Sequence, residues 1–189
     1  MSTESDTADS TTGFGISSRV GWPIGGAVGG VVGAAVFGLL IWLIDPAIVE
    51  DAVPGIYGLE ATGVGGWLIH LVHGAALGIV FGFLVTRDLF LGIIRTDVET
   101  DAIASTGEMA RVTAAGFVYG LAVWSILPVV VLPLWVEVFG ADPAAGFPAF
   151  AVESLVGHLV FGLLLGFVFA TTVDLQDRST PEPLEEESA

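Results

Sequence analysis

The stretch H-L-V-H-G-A-A-L-G-I-V-F-G, from His70 to Gly82, recurs as H-L-V-F-G-L-L-L-G-F-V-F-A from His158 to Ala170. Eight of the thirteen positions are identical in the two copies. Because residues four apart share one face of a helix, each copy predicts a stripe of small residues with an imidazole at one end. The small residues are Gly74, Gly78 and Gly82 in the first stripe and Gly162, Gly166 and Ala170 in the second. Such stripes are typical of helices whose backbones pack closely.

The composition is that of a membrane protein, since 53% of the 189 residues are hydrophobic and only 14% are charged. Four stretches contain no Asp, Glu, Lys or Arg: Val20 to Ile44, Ala61 to Thr86, Val112 to Val136 and Ser154 to Val173. Each is long enough to cross a hydrocarbon core of about 30 Å, which takes roughly 20 helical residues. The sequence therefore predicts an all-α protein with four transmembrane helices in a lipid bilayer.

The chain also predicts two similar halves. A gapless alignment of Gly33 to Glu50 with Gly120 to Glu137 pairs proline with proline near the end and glutamate with glutamate at the end. We expect two tandem helical hairpins of parallel topology, at about 20–88 and about 111–173, within a transmembrane domain of residues 19–173. The acidic tails 1–18 and 174–189 are expected to be disordered. Pro128 and Pro133 are expected to kink or end the third helix.

The distribution of charge predicts the orientation. All five basic residues lie in the tails or the central linker: Arg19, Arg87, Arg95, Arg111 and Arg178. The positive-inside rule then places both termini of this multi-pass protein in the cytoplasm. The 21 acidic residues disfavour nucleic acid as a partner. They favour a high-salt habitat, where concentrated ions screen the self-repulsion of an acidic surface.

Helix one carries two further ridges of small residues. The first is Gly25, Gly29 and Gly33, and the second is Gly26, Gly30, Ala34 and Gly38. Ridges of this kind let another backbone approach closely, which is how helices associate in lipid. Because four short helices enclose little volume, we expect a passage to form by homo-oligomerisation, with the ridges that begin at Gly25 and Gly26 as contact faces.

The histidines are the candidate functional residues, because ionisable side chains at membrane depth are rare. His70 and His158 lie at matched depth near the outer face, and His73 lies one turn deeper than His70. Three acids at the outer helix ends complete a predicted polar vestibule: Glu50, Glu137 and Glu153. This pattern predicts a proton- or ion-handling site. The alternative is that each neutral imidazole only bonds to a carbonyl or hydroxyl of a neighbouring helix.

Two other kinds of histidine site are compatible with the sequence. His70 and His158 could be the axial ligands of a b-type haem electron carrier, although the outer side offers no cation for the propionates. A divalent metal on His70, His73 and His158 ranks lowest, because H-x-x-H is shorter than the i, i+4 pairing that places two ligands on one helix face.

The sequence gives no sign of catalysis. It contains no cysteine, and it has no nucleophile elbow, phosphate-binding loop or dinucleotide fingerprint. We therefore assign no catalytic residue. A structural membrane subunit or scaffold is the third interpretation of the chain.

One segment resembles a known family. The run Val152-Glu153-Ser154-Leu155-Val156-Gly157-His158-Leu159-Val160 follows a proline-containing helix, and it resembles the last hairpin of YagU-type inner-membrane proteins. The resemblance covers mainly the last third of the chain, and the acid before Gly157-His158 stands one place away from the family's position. It implies a small multi-pass inner-membrane protein and no particular chemistry.

Overall fold

The structure, a computed structural model, describes residues 16–87, 107–139 and 152–175. Most of the two tails predicted to be disordered, residues 1–15 and 176–189, lies outside this part of the chain. The described elements, in chain order, are β1 (Ile16–Ser17), α1 (Ser18–Ile44), a π-helical turn (Ile48–Ala52), α2 (Val53–Gly55), α3 (Gly63–Val85), α4 (Glu108–Ile126), a second π-helical turn (Leu127–Val131), α5 (Leu132–Phe139), α6 (Val152–Thr172) and β2 (Val173–Asp174).

Four of the described helices are long and apolar enough to cross a membrane: Gly21–Ile44, Gly63–Val85, Glu108–Ile126 and Val152–Thr172. Their outward faces carry large apolar side chains, such as Val64 at 85% exposure and Leu43 at 67%. Water would penalise so much exposed apolar surface, whereas lipid tails accept it. The prediction of an all-α protein with four membrane-crossing helices is therefore confirmed.

Prolines shape the third membrane-crossing segment. Pro128 lies inside the π-helical turn Leu127–Val131, and α5 continues the helical path as far as Phe139. Proline cannot donate a backbone hydrogen bond, and π-type turns are one way in which a helix absorbs that loss. The third segment thus passes Pro128 as a π-helical turn, next to the site described below.

Glycines bring two pairs of helices into backbone contact. An added Cβ on Gly30 would lie 2.0 Å from the carbonyl oxygen of Gly74, which joins α1 to α3. An added Cβ on Gly116 would lie 2.3 Å from the carbonyl oxygen of Gly162, which joins α4 to α6. Only glycine fits at such separations. In lipid this close packing replaces the hydrophobic effect as the force that holds helices together.

The two ridges of α1 face different neighbours. Gly29 and Gly33 lie against Leu165 and Phe161 of α6, whereas Gly26 lies against Gly78 of α3. Both ridges that the sequence offers as contact faces between copies are thus covered within one chain. Helix α1 is the centre of the fold, because it packs along both α3 and α6. Helices α3 and α4 make few contacts with each other.

One end of the bundle is filled by an apolar core. Phe81 and Phe169 meet edge to face, with ring centroids 5.5 Å apart, and both side chains are fully buried. At the same end, the parallel pairing of Ile16 with Val173 brings the start of α1 to the end of α6. We call this the arginine end, because Arg19, Arg87 and Arg111 lie at the helix ends there. The histidines lie toward the opposite end.

Candidate functional site

A cavity of about 630 Å³ lies between the helices, and all three histidines line it. Its walls come from α1, α3, α5, α6, the turn Leu127–Val131 and the connection between α1 and α3. Leu77 of α3 lines the cavity, and its carbonyl oxygen accepts a 2.8 Å hydrogen bond from the hydroxyl of Tyr119 on α4. Most of the lining residues lie in the half of the bundle opposite the arginines.

His70 is held by a backbone contact to α1. Its Nε2–H donates a hydrogen bond to the carbonyl oxygen of Ala34, over 3.0 Å. Gly38 makes room for this ring, because an added Cβ there would lie 2.9 Å from Cδ2 of His70 and 2.7 Å from Trp67. Since a carbonyl oxygen can only accept, a neutral His70 must carry its hydrogen on Nε2. This imidazole helps to fasten α3 to α1.

His158 presents its other ring nitrogen to the cavity. Its Nδ1–H donates a 2.7 Å hydrogen bond to the carbonyl oxygen of Ser154, one turn earlier in α6. In the neutral ring Nε2 is then a free acceptor, and within the described residues it has no hydrogen-bond partner. Nε2 of His158 is also accessible rather than fully buried. Among the described residues, Nε1 of Trp124 is the one fully buried side-chain nitrogen or oxygen without a hydrogen-bond partner. His158 can therefore take up a proton.

Phe37 of α1 contacts both imidazoles. Its ring centroid lies 5.4 Å from that of His70 and 4.7 Å from that of His158. The phenyl ring rests on Gly157, where an added Cβ would lie 2.0 Å from the Cε2 atom of Phe37. A glycine in α6 thus lets one aromatic side chain bring together histidines that are far apart in the sequence.

His73 is bound from the connection that follows α1. The hydroxyl of Tyr57 pairs with Nε2 of His73, and burial raises the pKa of the Tyr57 hydroxyl. Either group can donate in this pair, because a hydroxyl both donates and accepts and the role of Nε2 depends on the tautomer of His73. Tyr57 also meets Trp135 of α5 edge to face at 6.0 Å. The indole N–H of Trp135 donates a 2.8 Å hydrogen bond to the carbonyl oxygen of Ile56. These contacts join the connection after α1 to α5 at the cavity rim.

The three acidic residues predicted to form the site do not lie together in the structure. Glu153 lines the cavity together with the histidines. Glu50 accepts a 2.7 Å hydrogen bond from the indole N–H of Trp42 and lies beside Gly63 at the start of α3. Glu137 is exposed on α5 and does not line the cavity. The structure thus brings Glu153 to the histidines, and it places Glu50 and Glu137 elsewhere.

The cavity also includes polar residues that the sequence analysis did not select, namely Asp45, Tyr57, Trp135 and Ser154. Asp45 directly follows the first charge-free stretch and precedes Pro46, so the sequence predicts its position at the end of the first helix. Its Oδ1 accepts a 3.0 Å hydrogen bond from the N–H of Ala47, and its side chain is exposed. For Tyr57 and Trp135 the sequence signal is weaker, because interfacial aromatic residues are common in membrane proteins.

The residues do not fit a haem with two histidine ligands. An iron would have to lie between the imidazoles of His70 and His158, and the ring of Phe37 packs against both. Nε2 of His70 is also occupied by the carbonyl oxygen of Ala34. The residues do not fit a metal ion bound by the three histidines either. Within residues 16–87, 107–139 and 152–175, no group of three His, Cys, Asp or Glu side chains is arranged to hold a metal ion.

No protein-family model, curated protein or solved structure matches the chain. The function is therefore argued from the cavity itself.

Proposed function

We propose that this small multi-pass membrane protein handles protons at the cavity, with His158 as the proton acceptor. The observation that carries the proposal is the lining: three imidazoles and the carboxylates of Asp45 and Glu153 surround one space of about 630 Å³. Imidazole is the side chain that exchanges protons most readily near neutral pH. Ionisable groups inside a membrane bundle are rare, and they often mark proton and ion pathways.

The three histidines have different tasks in this proposal. His158 has the open nitrogen, and its Nδ1–H bond to the carbonyl of Ser154 keeps Nε2 directed away from its own helix. His73 is the second proton acceptor. It lies at the cavity rim, where it is hydrogen-bonded to Tyr57. His70 is the least free, because it is bound to Ala34. Proton uptake is thus expected at His158 first.

Two acidic side chains line the cavity together with the histidines. Asp45 and Glu153 are both exposed side chains that line the cavity. Neither outer connection contains a Lys or Arg, since the five basic residues lie in the tails, the central linker and the helix ends that border it. The negative local potential therefore raises the concentration of protons and other cations at the entrance.

The arginines orient the proposed site. With the arginine end in the cytoplasm, as the positive-inside rule requires, the cavity opens toward the outer face and both termini lie inside. The buried side chains of Phe81, Leu165 and Phe169 fill the inner half of the bundle. Passage of a proton to the cytoplasm would thus need a second conformation, in which this apolar layer opens.

The test is proton flux into liposomes that contain the purified protein and an enclosed pH-sensitive dye. We expect the wild type to carry protons faster than protein-free liposomes. His158→Gln keeps a side-chain hydrogen-bond donor but does not titrate, so its flux is expected to fall to the protein-free rate. Glu153→Gln is expected to slow the flux, and the matched variant Glu137→Gln is expected to leave it unchanged, because Glu137 does not line the cavity.

Two outcomes would contradict the proton-handling proposal: a wild-type rate equal to that of protein-free liposomes, or an unchanged rate in His158→Gln. The first result would favour a second candidate, a structural membrane subunit, whereas the second would remove His158 as the proton acceptor. The observation behind that candidate is the bond between His70 and Ala34, which shows one imidazole used for helix packing.

A further inference from the structure

The cavity is larger than a proton site needs. At about 630 Å³ it lies within the range of roughly 300–1,000 Å³ that is typical of pockets for organic molecules. Most of its wall is apolar, with isoleucine, leucine, valine and phenylalanine side chains from α1, α5, α6 and the turn Leu127–Val131. An inorganic ion prefers a shell of oxygen ligands, which this wall does not offer. The space therefore suits a molecule with substantial apolar surface.

The charge of the wall restricts that molecule further. Among the described residues that line the cavity, Asp45 and Glu153 are the acidic side chains, and none is Lys or Arg. The connections 45–60 and 137–153 contain no Lys or Arg at all. An anion would have to enter against two carboxylates without a compensating charge, whereas a cation is attracted to them.

Aromatic rings line the same cavity as these carboxylates. Tyr57 and Trp135 meet edge to face at 6.0 Å and line the rim together with Asp45. The faces of tyrosine and tryptophan rings attract organic cations, most strongly where water is excluded. A charged head could rest on these rings while its apolar groups extend toward Phe37 and the wall of α5.

From this size, charge and aromatic lining we infer that the cavity binds a lipophilic organic cation, such as a hydrophobic ammonium or phosphonium compound. This inference rests on the proposed function, because it names the substrate class of the same site. The occupant carries one positive charge near Asp45, Glu153, Tyr57 and Trp135, and its apolar groups fill the inner part of the cavity.

The experiment compares two ions of one shape and opposite charge, tetraphenylphosphonium and tetraphenylborate. Binding to the full chain in lipid nanodiscs is measured by equilibrium dialysis, with protein-free nanodiscs subtracted to remove partition into lipid. We expect saturable binding of tetraphenylphosphonium at one site per chain. Tetraphenylborate is expected to show no saturable component, because it meets only negative charge at the rim.

Variants test whether the two carboxylates cause this selectivity. The double variant Asp45→Asn, Glu153→Gln is expected to bind tetraphenylphosphonium about tenfold more weakly or worse, since two nearby charges are lost. Asparagine keeps the oxygen that accepts from Ala47, so the fold is retained, and an unchanged unfolding temperature checks this. Glu137→Gln, with the same kind of charge change away from the cavity, is expected to bind as the wild type does.

The inference is overturned if both ions saturate the protein with equal affinity, or if the double variant binds tetraphenylphosphonium as tightly as the wild type. Absence of saturable binding overturns it as well, and flux that still depends on His158 would then leave the proposed function standing. Saturable, carboxylate-dependent binding by a protein without proton flux would support this inference and contradict the proposed function.

Discussion

Gly30→Val is expected to lower the free energy of unfolding by about 3 kcal/mol, because it separates α1 from α3. An added Cβ at this position would lie 2.0 Å from the carbonyl oxygen of Gly74 and 2.8 Å from its carbonyl carbon. These atoms belong to a helix backbone and cannot turn aside as a flexible side chain could. The whole helix would have to move, and its hydrogen bond from His70 to Ala34 would be lost with it. Unfolding in mixed micelles of increasing sodium dodecyl sulfate content, followed by circular dichroism, measures the change.

Two further variants provide the comparisons for Gly30→Val. Gly116→Val should cost about as much, because its Cβ would lie 2.3 Å from the carbonyl oxygen of Gly162 in the other hairpin. Gly107→Val is the control, since an added Cβ there meets no atom of the described residues within 4 Å. If Gly30→Val unfolds at the same detergent fraction as Gly107→Val, the close contact between α1 and α3 does not hold the bundle together.

Phe37→Ala is expected to destabilise the protein by about 3 kcal/mol and to enlarge the cavity. Phe37 is 8% exposed, and its ring contacts His70, His158 and Gly157 at once. Truncation removes these contacts and leaves a void beside the cavity. The two imidazoles then lose the ring against which both are packed. The same unfolding measurement gives the cost.

The control for this variant is Phe167→Ala. Phe167 lies on α6 and is 48% exposed, so its ring faces lipid for much of its area. Lipid tails replace the lost contacts there, and we expect a change of less than about 1 kcal/mol. Equal losses for the two variants would mean that Phe37 is an ordinary lipid-facing side chain rather than the common support of two histidines.

The fold class follows from the sequence for a simple physical reason. A charge-free stretch of about 20 residues or more has few stable states in a bilayer other than a helix, because every backbone polar group must be satisfied internally. Val20 to Ile44 and Ser154 to Val173 accordingly lie almost wholly within α1 and α6. The sequence does not predict that the third helix continues through Pro128 as a π-helical turn. That feature depends on how neighbouring helices support the freed carbonyl groups.

Register was harder to predict than helix position. The gapless alignment that pairs Gly33 with Gly120 would also pair Gly29 with Gly116. In the structure it is Gly30 that contacts Gly74 in the way that Gly116 contacts Gly162. One residue along a helix is a rotation of about 100°, so α1 and α4 present different faces. Because both ridges of α1 consist of small residues, their composition does not reveal which one meets α3.

The candidate site could be predicted only in part. The stripe pattern selects His70 and His158, and the structure places both against Phe37. The partners of the remaining residues depend on the connection after α1, where the turn Ile48–Ala52 directs Glu50 to Trp42 and the following residues bring Tyr57 to His73. Helical periodicity ends at Asp45, so no pattern in the sequence specifies these contacts.

The most direct test of the account is water access to the cavity wall. Since the chain has no cysteine, a single introduced thiol reports its own surroundings. Ser154→Cys places the thiol on the wall that carries His158, and Val156→Cys places it on the lipid-facing side of the same turn of α6. In oriented membranes, a membrane-impermeant maleimide added from the outer side is expected to label Ser154→Cys and to leave Val156→Cys unmodified. Ser154→Cys that reacts only after unfolding, or only from the cytoplasmic side, would contradict a water-filled cavity that opens outward around the three histidines.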